Sequence, residues 1–140
     1  MKYGVDTSIL LRFLTEEPAD LSEIVLARLQ EIWMSGGVCE VCDLVLSETY
    51  YALQHSYKVS KADALTALKA LTANPGFEFS DAAVTALSTP NLAKANPGFL
   101  DRVIHGTYIT SDNSTMLTCE KDAKRLPNVE VLKVSGYHHL

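Results

Sequence analysis

Tyr3-Gly4-Val5-Asp6-Thr7-Ser8-Ile9-Leu10-Leu11 is the stretch that decides how this chain is read. A short apolar opening ends on a carboxylate, and a run with helical character starts directly behind it. Open parallel α/β sheets place their ligands at the carboxyl ends of strands, which is where Asp6 falls. Asp6 also suits the N-cap of the following helix, since its side chain can accept hydrogen bonds from the first free amides.

Outward from there, strand and helix alternate, which implies a mainly parallel sheet with helices on both faces. The first helix should stop before Glu17-Pro18, because a residue preceding proline resists helical geometry. Asp20 with Glu23 predicts a capping box for a second helix, whose apolar residues recur from Leu21 to Ile32 and which Gly36-Gly37 ends. Val38 to Val41 is the second strand. Asp43 is then expected to cap a helix through Leu46, Tyr50, Leu53 and Tyr57, and Ser60 with Asp63 to open another that stops at Asn74-Pro75-Gly76. Phe77 to Phe79 forms a short strand, and helix resumes at Ser80 or Asp81 through Leu87. Ser88 to Pro97 is looser, with Pro90 and Asn96-Pro97 marking turns. A helix follows from Phe99 to Ile109, and 111–114 is a loop. Thr115 to Thr118 is a strand, Lys121 to Leu126 a helical turn, and Val129 to Val134 the last strand. Residues 1–140 are expected to form one domain.

Composition narrows the function. Of the 140 residues 47% are apolar, enough for a real core, and the formal net charge is -5. That charge argues against a broadly basic nucleic-acid surface, although cations held by carboxylates can reverse the sign locally. The first residues lack a signal-peptide pattern and no segment is apolar enough to span a bilayer, so a cytoplasmic protein is expected. Cys39-x-x-Cys42 could be a redox pair or half a zinc site, but Cys119 stands alone and His138-His139 lie beside the C-terminus. Core or near-core cysteines are the expectation.

Glu48, Asp101 and Glu120 are each expected at a strand-to-helix or helix-start position similar to that of Asp6. Gathered together, four carboxylates would repel unless protonated or bridged by cations. Oxygen ligands suit Mg²⁺ and Mn²⁺, and two such ions ~4 Å apart can activate water and stabilise the leaving oxygen of a phosphodiester. Each residue also has an ordinary structural account: a cap for Asp6, an exposed helical face for Glu48, and a favourable charge in a first helical turn for Asp101, Glu120 and Asp122.

These motifs, in order, resemble the PIN-domain ribonucleases, and in particular the small VapC-type toxins of toxin–antitoxin pairs. The similarity rests on Val5-Asp6-Thr7-Ser8 with Leu10-Leu11-Arg12, Ser47-Glu48-Thr49 with Tyr51 and Leu53, Phe99-Leu100-Asp101-Arg102-Val103-Ile104, and Met116-Leu117-Thr118-Cys119-Glu120-Lys121-Asp122-Ala123. It implies a single three-layer α/β/α PIN-like domain with a central, mainly parallel sheet. It implies Asp6, Glu48, Asp101 and Glu120 as catalytic and metal-binding acids for one or two Mg²⁺ or Mn²⁺ ions, with Glu48 binding or orienting the attacking water. Thr7 or Ser8, and Thr118, would steady the site by hydrogen bonding. Where the family has Thr-x-Asp, this chain has Thr118-Cys119-Glu120, one methylene longer, and Asp122 is the alternative carboxylate. The implied substrate is single-stranded RNA, cut endonucleolytically by water, with Arg12, Arg102, Lys121, Lys124 and Arg125 as candidate phosphate contacts or solvated charges. A homodimer and a cognate antitoxin are the implied partners. The competing expectation is a PIN-like module that binds RNA or protein without cutting. A phosphoaspartyl enzyme fits poorly, because Ser8 stands where a second aspartate would be needed.

Overall fold

In the computed structural model, which describes residues 1–111 and 113–134, strands and helices alternate along the chain. The strands are β1 (Lys2–Gly4), β2 (Val38–Glu40), β3 (Phe77–Glu78), β4 (Met116–Thr118) and β5 (Val129–Val131). The helices are α1 (Thr7–Thr15), α2 (Ala19–Met34), α3 (Asp43–His55), α4 (Lys61–Thr72), α5 (Asp81–Leu87) and α6 (Phe99–Tyr108), with 3-10 turns at Leu92–Lys94 and Lys121–Arg125. Helices covering a parallel sheet give the expected three-layer α/β/α fold.

Every strand pairing among the described residues is parallel, but the hydrogen bonds divide the strands into two ladders, β1-β2-β3 and β4-β5. The central strand β2 pairs Tyr3 with Cys39 on one side and Cys39 with Phe77 on the other. Cys39 is completely buried and free, as expected, whereas Cys42 and Cys119 are free and exposed, against expectation. The cause is local: Cys42 lies past the end of β2 as the N-cap of α3, and Cys119 follows β4 at the surface. His138-His139 lie outside the described residues.

The caps show which local signals won. Ser60 accepts the Asp63 amide at 3.1 Å and Ser80 accepts the Ala83 amide at 3.1 Å, as their sequences predict. The Asp20/Glu23 capping box does not form: α2 starts at Ala19 behind Pro18, and Asp20 accepts from its neighbour Leu21 at 2.8 Å. Proline before the first helical residue fixes the chain direction, and the helix starts two residues earlier than an Asp20 cap would place it. Asp43 likewise does not cap α3, because its carboxylate is taken by the Ser80 hydroxyl at 2.7 Å. At the other end of α2, Gly36 adopts φ +85°, the left-handed conformation that stops a helix at little cost for glycine.

The core gathers Leu10, Leu46, Thr49, Leu68 and Phe99, all at or below 2% exposure. At one end Phe13, Trp33 and Phe77 meet edge-to-face with centroids 5.2–6.1 Å apart, joining α1, α2 and β3. The Trp33 indole donates to the Gly76 carbonyl at 2.9 Å. At the other end, α6 is fastened by Arg102, whose Nε donates to Pro97 at 2.7 Å, and by the buried His105, whose Nε2 meets the Pro127 carbonyl at 2.7 Å.

Candidate active site

β1 delivers the chain to Asp6, and α1 begins behind it. One oxygen, Oδ1, accepts the Ser8 amide (3.0 Å), the Ser8 hydroxyl (2.6 Å) and the Ile9 amide (3.3 Å). The structural role read from the sequence is therefore real: Asp6 caps α1. The Ser8 hydroxyl is the main reason its carboxyl is held below the ordinary carboxylate value; partial burial opposes this, and the Ile9 and Ser8 amides add to it. Asp6 is exposed and ionised at neutral pH.

Glu48 joins it from α3. The Thr7 hydroxyl donates to Glu48 Oε1 at 2.7 Å, so the residue after Asp6 clasps the second carboxylate. Contacts between α1 and α3 bring these side chains together, with Leu10, Leu46 and the fully buried Thr49 beneath. Glu48 therefore lies on the Asp6 side of the molecule.

Asp101, Glu120 and Asp122 line an open cleft of about 350 Å³ with Asn96, Thr118, Ile104 and Tyr108. Asp101 comes from the first turn of α6. Thr118 ends β4, and its hydroxyl accepts the Glu120 amide at 3.0 Å, fixing the turn that presents Glu120. Asn96 donates to Asp122 at 2.7 Å, while Arg125 donates to the Asn96 carbonyl at 3.0 Å. Asn96 is a site residue that sequence reasoning treated only as a turn marker; an amide side chain at the mouth of α6 was the available signal.

Thr7 thus ties Glu48 to the Asp6 segment, while Asp101, Glu120 and Asp122 share the lining of one cleft. Among the described residues, no three Asp, Glu, His or Cys side chains stand close enough to hold one metal ion together. The donor chemistry still suits a hard divalent cation, being all carboxylate and hydroxyl oxygen. Magnesium is usually held by one or two carboxylates, with waters and substrate phosphates completing its shell, so a cage of three protein acids is not required. Acids elsewhere are differently placed: Glu40 and Glu78 at the ends of β2 and β3 flank Lys2 at 3.9 and 2.8 Å, and Glu78 is the larger cause of the raised Lys2 pKa.

The candidate cations divide as well. Lys121 and Lys124 are exposed beside the cleft, whereas Arg102 and Arg125 are engaged by backbone carbonyls. Arg12 donates weakly to the Tyr57 hydroxyl at 3.4 Å, and its Nε is buried without a hydrogen-bond partner among the described residues.

Parallel strands under helices, with carboxylates at the strand ends, define an acidic-site α/β protein. The PIN domain family model matches residues 3–129, so the chain belongs to the PIN domain family. No curated protein and no solved structure gives a match. PIN domains are commonly nucleases and generally depend on divalent metal. No helix among the described residues is long and apolar enough to cross a membrane.

Proposed function

We propose that this protein is a Mg²⁺- or Mn²⁺-dependent endoribonuclease that hydrolyses phosphodiester bonds of single-stranded RNA. We read it further as the cytoplasmic, homodimeric toxin of a toxin–antitoxin pair, held in check by a cognate antitoxin. The observation that carries the nuclease reading is the 2.7 Å bond from Thr7 to Glu48, which seats a second carboxylate beside the strand-end Asp6.

In this reading Asp6 and Glu48 would hold one cation, and Asp101 with Glu120 would provide for a second, with Asp122 as the alternative to Glu120. When bound, the cation supplies Lewis-acid stabilisation of the phosphate charge and lowers the pKa of water. The chain's own residues do the positioning. Ser8 fixes one oxygen of Asp6 and favours its ionised form, so the other oxygen is the one that would meet a cation. Thr7 sets the rotamer of Glu48, which orients the attacking water. The water oxygen bonds to phosphorus and gives up a proton, the bond to the leaving ribose oxygen breaks, and that oxygen takes up a proton from solvent.

Cleavage of a labelled single-stranded RNA, titrated with Mg²⁺ or Mn²⁺, tests this directly. Asp6→Asn and Glu48→Gln should each lower the rate on the order of a hundredfold or more, and a chelator should abolish it. A wild type that never cuts, or an Asp6→Asn variant that cuts equally well, defeats the proposal. The second reading, a PIN-like module that binds without cutting, is favoured by Glu120, whose extra methylene changes the reach of the fourth acid.

A further inference from the structure

Along α3, Glu48, Tyr51 and His55 stand at i, i+3 and i+7, on one face of the helix. Tyr51 is 52% exposed, high for a large aromatic one turn from an acidic pair. Its ring lies nearly parallel to the exposed His55 ring, with centroids 5.9 Å apart and an interplanar angle of 15°. Tyr50, itself packed on Phe99, backs Tyr51 at 5.8 Å. The phenol is therefore supported as a surface feature. Past the end of the helix, the Lys58 ammonium donates to the His55 carbonyl at 3.0 Å, placing a cation next in line.

The geometry points to this face of α3 as a platform on which Tyr51 and His55 stack a base of the single-stranded RNA whose phosphate lies at Asp6 and Glu48. The inference rests on the nuclease reading above and names where that substrate is gripped. At 1.5 Å per residue, His55 is about 10 Å along the helix from Glu48, near enough for a nucleotide next to the reacting phosphate. Stacking suits a protein whose net charge of -5 gives the RNA backbone little general attraction. Every base has a π-face, so such a platform holds single strands without demanding a sequence. Lys58 is exposed and its ammonium keeps two donors beyond the one given to His55, so it can supply the phosphate contact that accompanies stacking.

The test is fluorescence anisotropy of a labelled oligoadenylate RNA and of an abasic strand of equal length. Calcium replaces magnesium, because it takes the same oxygen ligands with looser geometry and so favours binding over cleavage. Thermal melts by circular dichroism check that each variant is folded. Tyr51→Ala should weaken binding of the oligoadenylate roughly five- to a hundredfold, the range base–aromatic stacking covers, while Tyr51→Phe stays within about twofold. On the abasic strand Tyr51→Ala and wild type should bind alike. Unchanged oligoadenylate binding by Tyr51→Ala, or an equal loss on both strands, overturns the platform while leaving the nuclease reading standing. A wild type that binds neither strand overturns both.

Discussion

Asp6 performs two jobs with one side chain, and they separate by substitution. Asp6→Ala removes the cap and should cost about 1 kcal/mol of stability by denaturant unfolding, whereas Asp6→Asn, an equally good cap, should cost only a few tenths. Both should lose cleavage. The lowered pKa of Asp6 also fixes a sign. Its folded value lies below the ordinary 3.8, so it contributes stability above that value and loses it as pH falls through the lower folded one. The stability difference between wild type and Asp6→Asn should therefore shrink in that acid window; a difference that grows there would contradict the assignment. Thr7 provides a cleaner probe of positioning. Thr7→Val keeps the shape, removes the donor to Glu48, and should lower cleavage roughly ten- to a hundredfold with little change in melting temperature. The strand-end position of Asp6 was legible in the sequence. The Thr7–Glu48 bond was not, because it joins residues 41 apart and depends on how α1 lies against α3.

Elements were legible where their signals were local and unopposed. Ser60 and Ser80 cap the helices they precede, and Pro18 bounds α1 as anticipated. Asp43 was misread because a partner 37 residues away, Ser80, competes for its carboxylate. No pattern near Asp43 carries that information. The junction of α2 with the strand ladder shows the same dependence on distant packing. A Cβ on Gly76 would run into the Trp33 indole, and the Gly76 carbonyl also accepts the Cys39 amide at 2.8 Å. Gly76→Ala should therefore cost about 1–3 kcal/mol by overpacking. Trp33 is the only tryptophan, so its emission should shift in the same variant. An unshifted spectrum with native stability would show that the indole moves aside freely.

At the scale of the molecule, the described strands divide into a well-packed ladder and a shallower one. β2 buries Cys39 completely, and Val41 just beyond it is 3% exposed, while β4 and β5 alternate half-buried with exposed positions and leave Leu117 at 62%. Hydrogen exchange should follow this division. The Cys39 and Val41 amides should exchange far more slowly than those of Met116 and Leu132, since shallow elements open locally at lower free energy. Equal protection would mean that the two ladders open as one unit. The sequence exposed all the acids and the order in which they occur. It could not show which of them share a cleft or a hydrogen-bond partner, because that depends on how α1 lies against α3 and how α6 lies beside β4.

The exposed, unpaired thiols of Cys42 and Cys119 have a practical consequence. One sits at the start of the helix that carries Glu48, the other next to Glu120, whereas burial both shields Cys39 and pushes its thiol pKa up. A thiol-reactive dye pair should therefore label the two surface positions and spare the third. The native chain already carries the attachment points for a spectroscopic ruler, one end at the start of the helix that carries Glu48 and the other beside Glu120.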